Sequence, residues 1–394
     1  MRLDELDYTL PPELIAQVPL EPRDASRLLL ATGAGTSLAL RDQAFRDLPG
    51  LLRPGDVLVR NDTRVIPARA HVRKATGGRV ELLFLERLRD PGASGAQSVA
   101  CPASSAAGPA RETWEVLARG RLRPGETLRS EAAPETFAVE VGERLGDGRW
   151  SVRSAVPGGE PLGAQLARHG ETPLPPYIRT ALADPERYQT VFARLRGSAA
   201  APTAGLHFTA ELDGVLRAAG IAIEHLTLHV GLATFKPVTT ARLEDHPLHE
   251  EPYVVERAAL ERIAAARAAG GRVVAVGTTM VRLLEELGAS GALEPRAADA
   301  TGAATPATGA ATPAAGHGLL EGRTCLFITP GHRFTAVDGL ITNFHLPRTS
   351  LLALVMAFCG VEETRRIYDH AVARRYRFYS FGDAMLAWAR EASR

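Results

Sequence analysis

The chain has 394 residues, a formal net charge of +1, 45% hydrophobic and 23% charged residues, values of an ordinary globular protein long enough for two domains. No run of about 18 apolar residues occurs, which excludes a hydrophobic membrane-spanning helix, and the acidic start predicts no secretory signal. A charge near zero excludes an overall basic surface, so a nucleic-acid partner requires a local patch. Three scattered cysteines without metal-ligand spacing agree with a reducing compartment, and we expect a cytoplasmic protein.

The first part of the chain predicts one strand followed by a compact β segment. Residues 56–59 form a short, mostly apolar strand. Between residues 67 and 153, short alternating runs at 79–86, 113–118, 136–141 and 150–153 are separated by turns containing Gly, Pro or Asp. Regularly spaced short strands without helices indicate a small barrel or sandwich. We expect residues 67–153 to form a small inserted β-barrel domain.

Beyond about residue 163 the pattern alternates between strands and helices. Strands are predicted at 221–230, 272–276, 324–328 and 340–343, and helices at 210–219, 254–269, 280–287 and 351–359. Such alternation implies a sheet covered by helices, which the strand at 56–59 would join. The predicted fold class is therefore α/β, with a large discontinuous α/β domain built from residues 1–66 and 154–394. Residues 291–318, which contain a tandem TGAATPA repeat, are predicted to be a low-complexity flexible insertion.

Polar and glycine residues form four clusters close to the ends of predicted strands, where ligands bind on α/β sheets. The clusters are Asn61, Asp62, Thr63 and Arg64; residues 202–208; residues 227–231 with Thr234 and Phe235; and Gly277, Thr278 and Thr279, followed by Arg282.

The Gly277 cluster has a direct physical interpretation. A glycine after a strand allows a tight turn, and Thr278 or Thr279 can then cap the following helix and leave backbone N–H groups facing an anion. The ligand would be a carboxylate, such as that of methionine, or a phosphate. Helix capping alone explains the same residues, so both interpretations stay open.

Two histidines and one aspartate are candidates for proton transfer. His207 and His229 qualify because imidazole titrates near neutral pH, although a structural hydrogen-bonding histidine is the competing interpretation for each. Asp383 lies in the aromatic stretch 376–388, whose rings could stack on adenine, face a sulfonium cation or simply cover the core.

A loop with Glu244, Asp245, His246 and His249 is rich in metal-ligand types. It matches no zinc signature, and Pro247 breaks the helical spacing of the two histidines, so we predict no metal.

Several blocks along the chain resemble one enzyme family. They are AAPTAGLHF, LHVGLATFKPV, EDHPLHEEPY, VVAVGTTMVRLLE, LITNFHLPRTSLL and YRFYSFGDAM, with LPPELIAQVPLEPRDASRLL and NDTRVIPAR near the N-terminus. In this order they are similar to S-adenosylmethionine:tRNA ribosyltransferase-isomerases of queuosine biosynthesis. The resemblance covers nearly the whole chain, which makes it far more specific than any single motif.

The resemblance implies an activity and its partners. Members transfer and isomerise the ribosyl part of S-adenosylmethionine onto 7-aminomethyl-7-deazaguanine at the wobble position of a tRNA. The products are epoxyqueuosine in tRNA, adenine and methionine, and S-adenosylmethionine is a co-substrate rather than a prosthetic group. The family is described as a large α/β domain with a small β-barrel and no metal. We expect a monomer that does not bind membranes.

Within this framework His207 or His229 would transfer protons, and Asp383 would orient them or act as the base. Thr278, Thr279 and Arg282 would hold the carboxylate of the donor, and Asn61, Thr63 and Arg64 would line the mouth near the RNA. The remaining expected substrate-binding residues are Thr203, Gly205, Phe208, Gly231, Thr234, Phe235, Gly277, Asn343, His345 and Tyr379.

Two alternatives belong to other functional classes. A tRNA-binding protein without catalysis would bind RNA and release no adenine. A methyltransferase using S-adenosylmethionine would form S-adenosylhomocysteine, and the lack of a GxGxxG loop after the first strand argues against it.

Overall fold

The structure, a computed structural model, describes residues 1–88, 112–146, 148–156, 160–231, 240, 242–245, 250–294, 312–313 and 318–389. Several short 3₁₀ helices accompany its strands and α-helices. The strands are β1 Arg27–Thr32, β2 Ala39–Ala44, β3 Val57–Asn61, β4 Thr63–Val65, β5 Arg69–Lys74, β6 Arg79–Leu88, β7 Thr113–Arg119, β8 Thr127–Ser130, β9 Ala138–Gly146, β10 Arg149–Ser154, β11 Leu195–Ser198, β12 Ala222–Leu228, β13 Glu251–Glu256, β14 Val273–Val276, β15 Thr312–Pro313, β16 Leu319–Thr324, β17 Gly339–Asn343 and β18 Ala384–Trp388. The α-helices are α1 Leu162–His169, α2 Ala210–Ala218, α3 Arg257–Ala268, α4 Thr278–Ala289, α5 Ser350–Cys359 and α6 Val361–Ala373.

The chain forms two compact units, here called the sheet unit and the barrel unit. The sheet unit comprises Met1–Thr63, Pro176–Arg194 and Pro202–Arg394, and the barrel unit comprises Arg64–Pro175 and Leu195–Ala201. The predicted fold class, a discontinuous α/β domain interrupted by a small β-barrel, is confirmed.

The sheet unit is built on one large mixed sheet. Its strand order is β15-β16-β13-β12-β3-β14-β17-β18-β1-β2. The strand predicted at 56–59 is observed as β3, which pairs in parallel with β12 on one side and β14 on the other. All five residues of β3 are buried, as expected of a strand covered on both faces. Leu58, Val274 and Ile341 form one core cluster with Leu212 and Leu216 of α2, so burial of these apolar side chains holds α2 against the sheet.

The barrel unit contains a closed barrel in the order β10-β7-β6-β5-β8-β9. Alternate residues of β5 and β6 point into its core, as period-two patterning requires. The unit boundaries differ from those predicted at residues 67 and 153. Helix α1 buries Leu162 and Leu166 in the same core as Trp114 of β7, so residues 154–175 belong with the barrel.

Two predicted elements are wrong in their bounds. The helix predicted at 254–269 begins only at Arg257, because residues 251–256 form β13 between β12 and β16. The strand predicted at 324–328 lies earlier, at Leu319–Thr324, where it pairs along β13. In both cases pairing with distant strands overrides the local pattern.

The predicted insertion and the predicted absence of a membrane-spanning helix can be compared only with the residues that the structure describes. Of the predicted insertion at 291–318, only residues 291–294, 312–313 and 318 are among them. Within the described part of the chain, no helix is long and apolar enough to cross a bilayer.

Candidate active site

Those members of the predicted polar clusters that the structure describes in the sheet unit lie at one edge of the large sheet. β12, β3, β14 and β17 are parallel neighbours, so their carboxyl ends share that edge. β13 and β18 run antiparallel to this group and therefore begin at the same edge, as does β1, which is parallel to β18. The edge is where open α/β sheets bind ligands.

His207 closes a 3₁₀ helix, Thr203–His207, and is held on both sides of its ring. Its Nδ1 lies 2.7 Å from Ser26 Oγ, and its Nε2 lies 3.2 Å from Asn343 Nδ2. Thr203 Oγ1 donates to Asn343 Oδ1 at 3.0 Å, which orients the amide so that Nδ2 donates to His207. This pattern assigns the Nδ1–H tautomer to His207, with Ser26 Oγ as its acceptor.

The surroundings of His207 keep its ring neutral. Burial, with smaller contributions from the Arg377 and Arg23 cations, lowers the pKa of His207 from 6.5 to about 3. The ring also stacks on Phe45, with 4.8 Å between ring centroids. Since both ring nitrogens are hydrogen-bonded within the protein, His207 is held in a fixed orientation.

Gly205 and Phe208, two expected substrate-binding residues, serve the packing of this segment. A Cβ on Gly205 would lie 2.8 Å from Thr190 Cγ2 and 2.9 Å from Phe192 Cζ, so only glycine fits there. Phe208 is fully buried and carries the guanidinium of Arg60 over its ring at 5.0 Å. Both residues pack the segment that carries His207.

His229 is held by residues that follow β3. Asn61 bridges the two segments, since its Nδ2 donates to Leu228 O at 2.8 Å and its Oδ1 accepts from the Thr63 and Leu228 N–H groups, each at 3.1 Å. Thr63 Oγ1 lies 2.8 Å from His229 Nδ1. Burial lowers the pKa of His229 to about 4. Asn61 and Thr63 therefore fix the histidine.

Helix α4 begins directly after β14 at the same edge. Its N-cap is Gly277, at φ +92°, with no side-chain cap, so the predicted capping by Thr278 or Thr279 is not what the structure contains. Thr279 Oγ1 is buried and has no hydrogen-bond partner in the described structure. The helix thus starts with a glycine turn and an unused hydroxyl.

Arg282, one turn along α4, forms a buried ion pair with Glu251 at the start of β13. Arg282 Nη1 donates to Glu251 Oε2 at 2.5 Å, and its Nε donates to Leu326 O at 2.8 Å. Glu251 Oε1 accepts from the Gly231 N–H at 3.0 Å. Within the described chain, Arg282 Nη2 is buried without a partner. The ion pair places one cation and one anion beside the start of α4.

Asp383 has a different set of contacts from the one predicted. Its carboxylate accepts from the backbone N–H, Nε and Nη2 of Arg27 and from the backbone N–H of Arg377. The hydrogen-bond partners of the His207 ring are Ser26 and Asn343, so these contacts do not support Asp383 as the group that orients that histidine. Instead Asp383 ties the start of β1 to the loop before β18.

Other predicted residues fall into three groups. His345 bonds Thr342 Oγ1 through Nε2 at 2.9 Å, and Tyr379 has φ +73° and packs its ring against Tyr177, so both support the loops of this edge. Arg64 belongs to the barrel unit. Thr234, Phe235, His246 and His249 lie outside the described residues, within which no group of three or more potential metal-ligating side chains occurs.

Sequence analysis did not single out Ser26, Arg27 or Glu251. Ser26 and Arg27 follow a polar segment and precede the apolar run of β1, a signal of the same kind as the one noted at β3. Glu251 lies in the block EDHPLHEEPY, which was noted for its resemblance to a family, and follows the residues considered as metal ligands. Their partners lie far away in the sequence, which is why the local pattern missed them.

Comparison with known proteins gives a consistent result. Residues 3–387 match the family described as queuosine biosynthesis protein. The chain is 48% identical over 389 residues to the S-adenosylmethionine:tRNA ribosyltransferase-isomerase of Rubrobacter xylanophilus, covering 98% of this chain and 97% of that protein. It is 49% identical over 390 residues to the protein of the same name from Anaeromyxobacter, covering 98% and 99%. The crystal structure of S-adenosylmethionine tRNA ribosyltransferase from Thermotoga maritima is similar with a TM-score of 0.49 and 32% identity, covering 97% of this chain and 99% of that one.

Proposed function

Since the chain belongs to the family of queuosine biosynthesis proteins, we propose that it transfers the ribosyl part of S-adenosylmethionine to a tRNA and isomerises it. The acceptor is 7-aminomethyl-7-deazaguanine at the wobble position, and the products are epoxyqueuosine in tRNA, adenine and methionine. The observation that carries the proposal is the similarity to relatives bearing this enzyme's name over 98% of the chain. The chain acts as a monomer in the cytoplasm.

The chemistry requires a base, an acid and a dry site. The sulfonium makes the neighbouring ribose protons acidic and makes methionine a good leaving group, and protonation assists the departure of adenine. Exclusion of water protects the reactive ribosyl intermediate from hydrolysis. The buried histidines at the sheet edge supply groups for proton transfer in a site that excludes water.

His229 is the better candidate for proton transfer. Thr63 holds its Nδ1, so Nε2 is the nitrogen that we assign to the transfer. With a pKa of about 4, the imidazole is neutral at pH 7 and able to accept a proton. His207 would have to exchange its bond to Asn343 for one to the substrate, so we assign it the role of a fixed wall and hydrogen-bonding group.

The start of α4 fits the methionine part of the donor. Thr279 Oγ1, Arg282 Nη2 and the first backbone N–H groups of the helix are donors for its carboxylate. Glu251 supplies the opposite charge for its ammonium group, because its carboxylate lies beside Arg282 close to the start of α4. A cation beside an anion is the complement of a zwitterionic amino acid.

Incubation with S-adenosylmethionine labelled in the ribose and tRNA carrying the deazaguanine precursor tests the function. We expect free adenine and labelled RNA in equal amounts. Absence of both, with folded protein, would contradict the proposal, and S-adenosylhomocysteine in their place would indicate methyl transfer.

Two variants test the assigned roles in the same assay. His229→Gln should lower kcat by about 10²- to 10⁴-fold while leaving the KM for S-adenosylmethionine within a few-fold, since it removes a proton-transfer group. Arg282→Lys keeps a charge beside Glu251 but loses the free Nη2, so the KM for S-adenosylmethionine should rise about tenfold. Arg323→Lys, at an exposed arginine paired with Glu250, is the matched control. Wild-type rates in His229→Gln would disprove the first assignment.

A further inference from the structure

A second charged cleft lies in the sheet unit on the far side of His207 from Asn343. Its walls include Arg23, Ser26, His207, Arg377, Ser380 and Phe381. The bond between His207 and Asn343 connects this cleft to the ends of the parallel strands. A ligand in it would therefore lie next to the site assigned above.

Two arginines line the cleft, and the carboxylates that act on their charges belong to residues outside its described walls. Among the described residues that line it, Arg23 and Arg377 are cationic and none is acidic. Arg23 donates to the carbonyl oxygens of Leu206 and Glu186, at 3.3 and 3.0 Å, and the carboxylates of Glu21, Asp184 and Glu186 act on its charge from outside the cleft. Burial lowers the pKa of both Arg23 and Arg377, the direction expected when guanidinium groups leave water.

Arg377 also has an unused donor. Its Nη1 is buried with no hydrogen-bond partner within the described structure, whereas its Nη2 donates to Val18 O. The nearest carboxylate that acts on its charge, Asp383, is occupied by Arg27 and by backbone N–H groups. A buried guanidinium N–H without an acceptor is costly, so an anion with several oxygen atoms would satisfy it.

The charge of this cleft distinguishes the two substrates. S-adenosylmethionine carries two cationic groups and one carboxylate, which suits the Arg282–Glu251 pair better than a cleft whose described lining holds two arginines and no carboxylate. RNA offers phosphate groups, for which paired guanidinium groups are the favoured partners. We propose that the cleft binds a phosphate group of the RNA acceptor through Arg23 and Arg377. The inference rests on the proposed function only in taking RNA as the substrate.

The experiment measures the binding of the tRNA substrate to the full chain between about 50 and 200 mM salt, together with the KM for tRNA and the KM for S-adenosylmethionine. Arg377→Gln and Arg23→Gln each remove one guanidinium, and Arg365→Gln, at an exposed arginine paired with Glu362, removes the same charge elsewhere. Each cleft variant should weaken tRNA binding about 10- to 100-fold and reduce the slope of log K against log salt by about 0.7 to 0.9. The control should leave both quantities unchanged, and the KM for S-adenosylmethionine should stay constant.

Each outcome decides the proposal. Unchanged tRNA affinity in both folded cleft variants overturns it, and so does a rise in the KM for S-adenosylmethionine with tRNA binding unaltered, which would assign the cleft to the donor. Arg23→Gln tests the cleft independently of any folding defect caused by Arg377→Gln. A lowered slope in a protein that releases no adenine would support the phosphate site while refuting the proposed function.

Discussion

Lowering the pH should destabilise the folded protein through three histidines, because the fold buries each of them in its neutral form. His207, His229 and His345 are 4, 6 and 5% exposed, and burial is the largest cause that lowers their pKa values to about 3, about 4 and about 3. In the unfolded chain the same groups titrate near pH 6.5, so acid adds protons to the unfolded state first. Their stabilisation is therefore complete above about pH 6.5 and is lost as the pH falls toward the folded values.

The size of the effect follows from linkage. Between about pH 7.5 and 5.5 each histidine should cost about 1.4 kcal/mol of unfolding free energy, or about 4 kcal/mol for the three together, and His225, whose pKa burial lowers to about 4, adds to this loss. Carboxylates titrate lower. Burial raises the pKa of Asp56, but hydrogen bonds from Arg272 and backbone groups lower it below 3.8 overall, so its contribution is lost only below about pH 4.

Urea unfolding at constant ionic strength, followed by circular dichroism at a series of pH values, measures this loss. His345→Gln retains an amide for Thr342 and removes one titrating group, so the loss should shrink by about 1.4 kcal/mol. A decrease of less than about 1 kcal/mol in the wild-type protein over this pH range would refute the reasoning.

Three further predictions concern the supports of the site. Asp213→Asn breaks the fully buried pair with Arg60, whose two bonds measure 2.6 and 2.9 Å, and should destabilise by about 3 to 5 kcal/mol in urea unfolding; unchanged stability would contradict this. Asp383→Asn should destabilise by about 1 to 3 kcal/mol and speed hydrogen exchange in residues 377–382, and equal exchange rates would argue against its anchoring role. Gly382→Ala places a Cβ 2.4 Å from a carbonyl oxygen five residues earlier, so it should lower the unfolding free energy by more than about 2 kcal/mol and remove most of the activity. The control Gly214→Ala, whose Cβ meets nothing within 4 Å, should leave stability and activity at wild-type level or better.

The local sequence pattern was sufficient to predict elements whose burial repeats regularly along the chain. The barrel strands alternate because one face of each meets a closed core, and that period is visible in the chain at residues 79–86. The apolar strand near residue 56 was expected to join the large sheet, and it lies between β12 and β14. The predicted helix ends also lie within about three residues of the observed ones. In each case the physical cause acts between neighbours in sequence.

The function was predicted from the sequence through a resemblance to a family and not through a local pattern. No single cluster of residues identified the reaction, since each had a structural explanation of its own. The ordered set of blocks over the whole chain resembled one family, and the family match over residues 3–387 agrees with it.

Tertiary structure decided how the candidate residues are used. Only pairing of β1 with β18, more than 350 residues apart, shows that Asp383 binds Arg27. Only the junction of the 203–207 helix with β17 shows that Asn343 and Ser26 occupy both nitrogens of His207. The sequence identified which side chains lie at the ends of strands. It could not identify their partners, because hydrogen bonds at a sheet edge join strands whose order is fixed by long-range packing.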